Sequence, residues 1–212
     1  MRNNSTETFV INIEKNLGYV FRDKGLLTRA LTHSSYSYDN NLEYDYERLE
    51  FLGDAVMELI ITEHIVLKYK DFREGDLSML RAYMVNESSL YKIAGKIDIH
   101  NNILLGKSEF NSGDMIKQAI IADIFEAVIA AVYLDGGYDI AKKIVLNLFD
   151  EAIDEAVAKN SFIDSKTLLQ QLCQKKFGKL PEYSLVASDG PEHDKTFVAE
   201  LNMCGVIKTR AE

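Results

Sequence analysis

Apolar residues recur at helical spacing along the first three quarters of the chain, from about residue 6 to residue 158. Apolar positions three and four residues apart are typical of helices that bury one face against a core. Glycines interrupt the pattern and predict short breaks between helices. They are Gly18, Gly25, Gly53, Gly75 and the pair Gly136-Gly137. The sequence therefore predicts an all-helical domain over residues 1–158.

A different pattern follows a polar stretch at residues 159–163, which is the predicted linker. Residues 164–177 have the spacing of one amphipathic helix that should end at Gly178. Two runs of alternating apolar and polar residues then predict strands, and a third run starts at Val206. Their apolar sides are Tyr183, Leu185 and Ala187 in the first run and Phe197, Ala199, Leu201 and Met203 in the second. The predicted fold class is mainly α, with a small α+β domain over residues 164–212.

Composition is typical of a globular protein of the cytoplasm. Apolar residues make up 47% and charged residues 27% of the 212, which excludes a disordered chain. The first residues show no secretory signal, and the longest apolar helix has two acids in its middle, which argues against a membrane span. Two isolated cysteines, Cys173 and Cys204, favour a reduced cytosolic protein.

The net charge of −9 is unusual for a protein that binds nucleic acid, because phosphate binding normally requires a basic surface. Residues 161–212 contain seven basic and seven acidic residues, so the excess of acid, 26 against 17, lies in residues 1–160. A carboxylate-rich metal site would explain part of this excess, since a bound cation reverses the local charge. An ordinary acidic protein is the alternative.

Acidic residues form a stripe on the helix predicted around residues 47–58. Glu47, Glu50, Asp54 and Glu58 fall within about one quarter of the helix circumference, and Leu49, Leu52, Val56, Leu59 and Ile60 lie opposite. A solvated acidic face is the simplest interpretation. However, Met57 and Ile61 lie on the acidic side, and like charges four residues apart repel unless a cation compensates them.

A second pair of acids, Asp123 and Glu126, lies in the sixteen-residue segment 119–134, which contains no other charge. A helix that is apolar all round is expected to be buried. Buried carboxylates must bind a metal, pair with a basic residue or take up a proton, and this segment contains no Lys or Arg. A metal shared with Glu50 and Asp54 would satisfy both helices.

Oxygen ligands without histidine favour Mg²⁺ or Mn²⁺ at such a site. Carboxylate-bound Mg²⁺ activates water and takes phosphate oxygens as ligands, which suggests phosphodiester hydrolysis. The alternative, a di-iron site, uses Glu-x-x-His pairs. None of the four histidines follows a Glu at that spacing, so a di-iron site is disfavoured.

Residues 47–56, Glu-Arg-Leu-Glu-Phe-Leu-Gly-Asp-Ala-Val, resemble the signature of the ribonuclease III family. Residues 122–127, 32–36 and 74–82 are similar to its other recurrent blocks, and residues 164–212 resemble the first part of its double-stranded-RNA-binding domain. The resemblance implies a Mg²⁺-dependent endoribonuclease, with Mn²⁺ able to substitute. It also implies a homodimer that cleaves both strands of double-stranded RNA in the processing of ribosomal, messenger and other RNAs.

The resemblance also assigns roles to residues of this chain. Glu50, Asp54, Asp123 and Glu126 match the metal ligands, of which Asp54 and Glu126 are also expected to be catalytic. Glu47 and Glu74 match residues near the cleft and are candidates for supporting roles. A protein that binds double-stranded RNA without cleaving it, or a scaffold protein, is the alternative. Four intact carboxylates argue against it, because pure binding has no use for them.

An uncharged polar face on the helix after residue 164 is the predicted RNA contact. Thr167, Gln170 and Gln171 offer hydroxyl and amide groups that suit the 2′-hydroxyls in the minor groove of A-form RNA. By resemblance, the loop with His193 enters the same groove. A solvated helix face and an ordinary hairpin tip are the alternatives. The family domain continues into a further helix, so a partial domain lacking its last helix, with one sheet face exposed, is expected.

Overall fold

Helices form most of the first of two units, Met1–Lys159 and Asn160–Glu212, in a computed structural model of the chain. The structure describes residues 3–107, 117–163, 165–189, 196–203 and 207–211. The helices of the first unit are α1 (Asn3–Leu17), α2 (Lys24–Ala30), α3 (Ser34–Asn40), α4 (Glu47–Lys68), α5 (Glu74–Met84), α6 (Glu87–Lys96), α7 (Gln118–Gly136) and α8 (Tyr138–Lys159). A short 3₁₀ helix, Ile99–Asn101, follows α6. The prediction that this part of the chain is helical is confirmed.

Helix α7 is the central helix of the first unit. It packs against α2, α4, α6 and α8, and Phe125 and Val128 are among its fully buried residues. Because it is apolar on every side, burial of the whole helix is favourable. The burial predicted for residues 119–134 is confirmed over most of the segment, although Leu134 near its end is half exposed. No helix within the described ranges is long and apolar enough to cross a membrane.

Three of the glycines that predicted breaks lie inside helices instead. Gly25 and Gly75 are in the first turns of α2 and α5, and Gly53 lies within α4, so the breaks predicted there are wrong. Gly18 and Gly137 do follow helix ends, with φ of 67° and 83°. Glycine adopts such positive φ values without the strain that a Cβ would cause.

The second unit has one helix followed by an antiparallel sheet. Helix α9 (Ser165–Phe177) precedes β1 (Glu182–Asp189), β2 (Thr196–Met203) and β3 (Ile207–Ala211), which pair in the order β1-β2-β3. Gly178 follows α9 with φ of 66°, which confirms the predicted helix end. The small α+β fold predicted for this part of the chain is also confirmed.

A bulge in β1 changes the predicted face of one residue. Leu185 pairs with Ala199, but Ala187 pairs with Val198, because Val186 is an extra residue in β1. An unpaired residue shifts the register by one and reverses the side to which the following residues point. Ala187 therefore does not share a side with Leu185, and the prediction that it does is wrong.

One face of the sheet presents apolar residues to solvent. Phe197 is 52% exposed and Ala199 is also exposed, whereas Leu201 and Met203 are partly covered. The sequence predicted this open face for β2, and its first half has the expected exposure. On α9, Cys173 is buried, as its position on the apolar side of the helix suggests.

Candidate active site

The candidate active site lies where α4 and α7 touch backbone to backbone. A Cβ built on Gly53 would lie 1.9 Å from the carbonyl oxygen of Glu126 and 2.5 Å from its carbonyl carbon. Only a residue without a side chain permits this approach. Gly53 is next to Asp54 in α4, so the contact brings Glu126 to the acidic stripe of that helix.

The acidic stripe of α4 is not simply a solvated face. Met57 and Ile61, the two apolar residues on that side, are fully buried. Glu50 is partly covered, while Asp54 and Glu47 remain exposed. The stripe therefore runs along the edge of the contact with α7, where some carboxylates face protein and others face solvent.

The apolar side of α4 is less covered than its composition suggests. Leu59, which the pattern places opposite the acidic stripe, is 57% exposed, and Phe51, which borders the stripe, is 84% exposed. Leu49 and Val56 are buried as expected. Helix α4 thus has a second, apolar exposed face in addition to its acidic one.

Glu126 has the most perturbed carboxyl group of the site. Burial is the largest cause that raises its pKa from 4.5 to about 8, and the charges of Asp54, Asp123, Glu50 and Glu58 add to it. Five carboxylates therefore lie close enough to influence one another, four of which were predicted to share a metal. At neutral pH, Glu126 takes up a proton unless a cation offsets these charges.

Glu50 and Asp123 are affected in the same direction. Burial raises the pKa of the Glu50 carboxyl group, and the charges of Asp123, Glu47 and Asp54 raise it further. The charge of Glu47 thus reaches Glu50, and the supporting role of Glu47 stays a prediction. Since the two helices contribute carboxylates that repel one another, a nearby cation would relieve that repulsion.

The pKa of Asp123 reveals neighbours that the sequence did not indicate. Burial and the charge of Glu87 raise this pKa, whereas a hydrogen bond from the Tyr46 hydroxyl and the charge of His33 lower it. Glu87 is the first residue of α6, and no spacing in the sequence relates it to α7. Tyr46 lies immediately before α4, and no pattern in the sequence relates its hydroxyl group to Asp123.

No basic side chain neutralises the four predicted ligands within the described ranges. The ion pairs found there involve other acids, namely Glu14, Glu63, Asp150, Asp154 and Glu155. Nor do three or more His, Cys, Asp or Glu side chains in those ranges converge closely enough to hold a metal ion. The carboxylates are neighbours that repel, with the hard oxygen donors that suit Mg²⁺ or Mn²⁺.

The remaining predicted residues lie apart from this cluster or outside the described part. Glu74 is exposed at the start of α5 and accepts a hydrogen bond of 3.0 Å from the Ser78 hydroxyl. On α9, Gln170 is partly exposed. The side chains of Thr167 and Gln171, and the whole of His193, lie outside what the structure describes. The supporting role of Glu74 and the RNA contacts stay predictions.

Two family models match the chain, one for each part of the sequence. The model described as Ribonuclease-III-like matches residues 23–152, and the double-stranded RNA binding motif matches residues 165–212. The Ribonuclease 3 of Caldanaerobacter subterraneus subsp. tengcongensis is 43% identical over 92% of this chain and 86% of that protein. The Ribonuclease 3 of Campylobacter jejuni serotype O:2 is 42% identical over 94% of this chain and 87% of that protein.

Solved structures agree with these matches. The nuclease domain of ribonuclease III from Campylobacter jejuni, described for the flexibility of a region involved in dimer formation, is 44% identical. Its TM-score is 0.62, over 66% of this chain and 95% of that domain. The chain therefore belongs to the ribonuclease III family of endoribonucleases and combines a nuclease domain of that type with a double-stranded-RNA-binding motif.

Proposed function

We propose that the chain hydrolyses phosphodiester bonds in both strands of double-stranded RNA at a divalent-cation site formed by Glu50, Asp54, Asp123 and Glu126. Mg²⁺ is the proposed cation, and Mn²⁺ can substitute. The observation that supports the site most strongly is the pKa of Glu126, which burial and four neighbouring carboxylates raise to about 8. A carboxylate in these surroundings is stabilised most by a nearby cation, because the positive charge offsets the repulsion between the carboxylates.

Each carboxylate has a part in this proposal that follows from its surroundings. Asp54 is exposed and can face both cation and RNA, and Glu126 faces it from α7, so these two are the proposed catalytic ligands. Glu50 and Asp123 complete the ligand set and orient it. When bound, Mg²⁺ supplies a Lewis acid that activates water and neutralises charge on the phosphate. Glu47 and Glu74 have the proposed supporting roles.

The exposed apolar face of α4 supports assembly as a homodimer. Phe51 is 84% and Leu59 is 57% exposed, and Ala55, which is also exposed, lies between them at helical spacing. Large exposed apolar residues on one face mark interaction sites more often than isolated ones do. A dimer would present two cation sites to the two strands of one duplex.

The second unit is the proposed RNA-binding element. Its polar residues Thr167, Gln170 and Gln171 on α9, together with His193, are suited to the 2′-hydroxyls of a minor groove. We place the activity in the cytoplasm and in the processing of ribosomal, messenger and other RNAs. These assignments rest on the family and on the composition of the chain.

Cleavage of a long RNA duplex tests the proposal directly. Purified protein is incubated with duplex in Mg²⁺ and in EDTA, beside Asp54→Asn, Glu126→Gln and the control Glu155→Gln. Glu155 is an exposed acid of α8 that pairs with Lys159. We expect cleavage only with Mg²⁺, by the wild type and the control, and a loss of about 100-fold or more in the two site variants.

Two results would contradict the proposal. The cation site is wrong if Asp54→Asn and Glu126→Gln cut as well as the wild type. If the wild type binds the duplex and leaves it intact at every Mg²⁺ concentration, a non-cleaving RNA-binding or scaffold function replaces the enzyme.

A further inference from the structure

Lys166 is a basic residue in the first turn of α9. It is the second residue of the helix, its side chain is exposed, and the first turn contains no Asp or Glu. None of the ion pairs found in the described ranges includes it. A cation near the start of a helix opposes the helix dipole, which favours anions there. The charge of Lys166 therefore does not stabilise α9 and is available to an anionic partner.

The aromatic ring of Tyr183 holds the ammonium group of Lys166. The Nζ atom lies over the ring, 5.3 Å from its centroid, which is within the range of a cation–π interaction. Tyr183 is the second residue of β1 and is 45% exposed, so solvent reaches both partners. A side chain that is already held in place loses less conformational freedom when it binds a ligand.

The acid next to Tyr183 in the sequence lies on the other face of the sheet, because neighbouring residues of a strand point to opposite faces. That acid, Glu182, pairs with Asn202, whose side-chain amide donates a hydrogen bond of 3.4 Å to the Glu182 carboxylate. Tyr183 pairs with Leu201 instead. The carboxylate of Glu182 therefore does not neutralise Lys166 across the strand.

Lys166 shares one side of α9 with Gln170, a predicted RNA contact. The two are four residues apart, and residues at that spacing are neighbours on a helix surface. Gln170 is partly exposed, and its amide group suits the 2′-hydroxyls of a minor groove. A duplex bound there would present its phosphates to the same side of the helix. A lysine binds phosphate as a point charge with three hydrogen-bond donors.

We propose that Lys166 binds a phosphate of double-stranded RNA and that Tyr183 is a positioning residue that holds its ammonium group. This inference rests on the RNA-binding role proposed for the second unit. It adds a charged contact to the uncharged hydroxyl and amide groups of that unit. Each phosphate that a lysine neutralises releases condensed counterions from the duplex, so the contact makes binding weaker as the salt concentration rises.

The salt dependence of RNA binding tests the role of Lys166. A fluorescent RNA duplex is titrated with the full chain in EDTA, which prevents metal-dependent cleavage, at several KCl concentrations between about 50 and 200 mM. In Lys166→Met the slope of log Kd against log [KCl] should fall by about 0.9, and the Kd at about 100 mM KCl should rise roughly eightfold. Lys166→Arg keeps the charge and should retain the slope.

Two further variants separate the site from other lysines and from the ring. Lys176→Met is the matched control, because the Lys176 Nζ atom lies 5.6 Å from the centroid of the Phe177 ring in the same helix. Its distance of six residues from Gln170 puts Lys176 on a different side of α9, so its slope should be unchanged. Tyr183→Leu keeps the charge of Lys166 and should retain the slope, while the Kd rises about threefold.

Several results would overturn the inference. If Lys166→Met weakens binding equally at every KCl concentration, or leaves it unchanged, Lys166 does not bind phosphate and its contact with Tyr183 only joins α9 to β1. An equal fall in slope for Lys176→Met shows that the position of the lysine is irrelevant. Wild-type affinity in Tyr183→Leu overturns the positioning role of the ring. A wild type that binds no duplex overturns both this inference and the RNA-binding role of the second unit.

Discussion

Asp54 on α4 and Glu126 on α7 lie in different surroundings, although their helices touch. Glu50 and Asp54 are on α4, which is amphipathic and leaves Asp54 exposed, whereas Asp123 and Glu126 are on α7, which is otherwise apolar and buried. Burial is the first cause of the raised pKa of both α7 acids. In the proposed site, α7 therefore contributes half-buried carboxylates that a cation would stabilise, and α4 contributes an exposed carboxylate that cation and RNA can reach.

We expect Gly53→Ala to have the largest effect on stability and activity, because the added methyl group forces α4 and α7 apart. The added Cβ would lie 1.9 Å from a backbone oxygen of Glu126, which cannot move without its helix. Overpacking of this kind costs about 3 kcal/mol or more in the free energy of unfolding. Urea denaturation followed by circular dichroism measures the loss, and cleavage activity should fall with it.

Gly75→Ala is the matched control for this substitution. Gly75 also lies in a helix, α5, but nothing lies within 4 Å of a Cβ built there. Alanine is favoured over glycine in a helix, so we expect a gain of about 0.5–1 kcal/mol. If Gly53→Ala is tolerated as well as Gly75→Ala, the backbone contact does not shape the site.

The next largest effect is a pH-dependent loss of stability caused by Glu126. Its pKa rises from 4.5 to about 8 on folding, so its contribution to stability is fully present below pH 4.5 and is lost as the pH rises through 8. In EDTA, the Tm of the wild type relative to Glu126→Gln should therefore fall by roughly 3–8 °C between pH 5 and pH 9. Differential scanning fluorimetry measures both proteins in parallel.

Asp54→Asn provides the contrast for this pH profile. Asp54 is exposed, so its replacement in EDTA should change the Tm by no more than about 2 °C at pH 9. Added Mg²⁺ should raise the Tm of the wild type and reduce its deficit against Glu126→Gln, since a ligand of the folded state stabilises it. Equal pH profiles for the Asp54 and Glu126 variants would remove the distinction between the two helices.

The sequence predicted the buried helix and its acids because burial follows from composition over a long segment. The segment 119–134 is apolar apart from Asp123 and Glu126, which are half-buried in the structure, and burial raises the pKa of both. Glycine alone was a poor guide, since Gly53 predicted a break where the structure has a close approach between two helices. A glycine in the middle of a helix does not have to end it, because it can instead let the backbone of a neighbouring helix pack closely against it.

Contacts between distant segments could not be predicted in the same way. Tyr46 and Glu87 both affect the pKa of Asp123. They lie at the starts of α4 and α6, however, and no periodicity in the sequence relates them to α7. The bulge at Val186 was not predicted either, because three consecutive apolar residues, Leu185-Val186-Ala187, do not say which of them is the extra one. Such features depend on which elements meet in three dimensions, and a pattern along one segment does not contain that information.

The smallest effect is expected at Glu63, a third kind of acid on α4. Its carboxylate accepts hydrogen bonds from Lys142 at 2.8 Å and from Tyr138, both on α8, so it already has a cationic partner. The hydrogen bond from Lys142 is the first cause of its lowered pKa. Its contribution to stability is therefore present above pH 4.5 and lost as the pH falls through the lowered pKa, which is opposite in sign to Glu126.

Lys142→Met tests this smallest effect without touching the site. An exposed ion pair contributes little, so the Tm should fall by no more than about 2 °C at pH 7, and the difference from the wild type should vanish near pH 3. Mn²⁺ affinity and cleavage should be unchanged, because Glu63 and Lys142 compensate each other outside the cluster around Glu126. A loss of Mn²⁺ binding in Lys142→Met would show that the charges of α4 act as one group, and the contrast between paired and unpaired acids would fail.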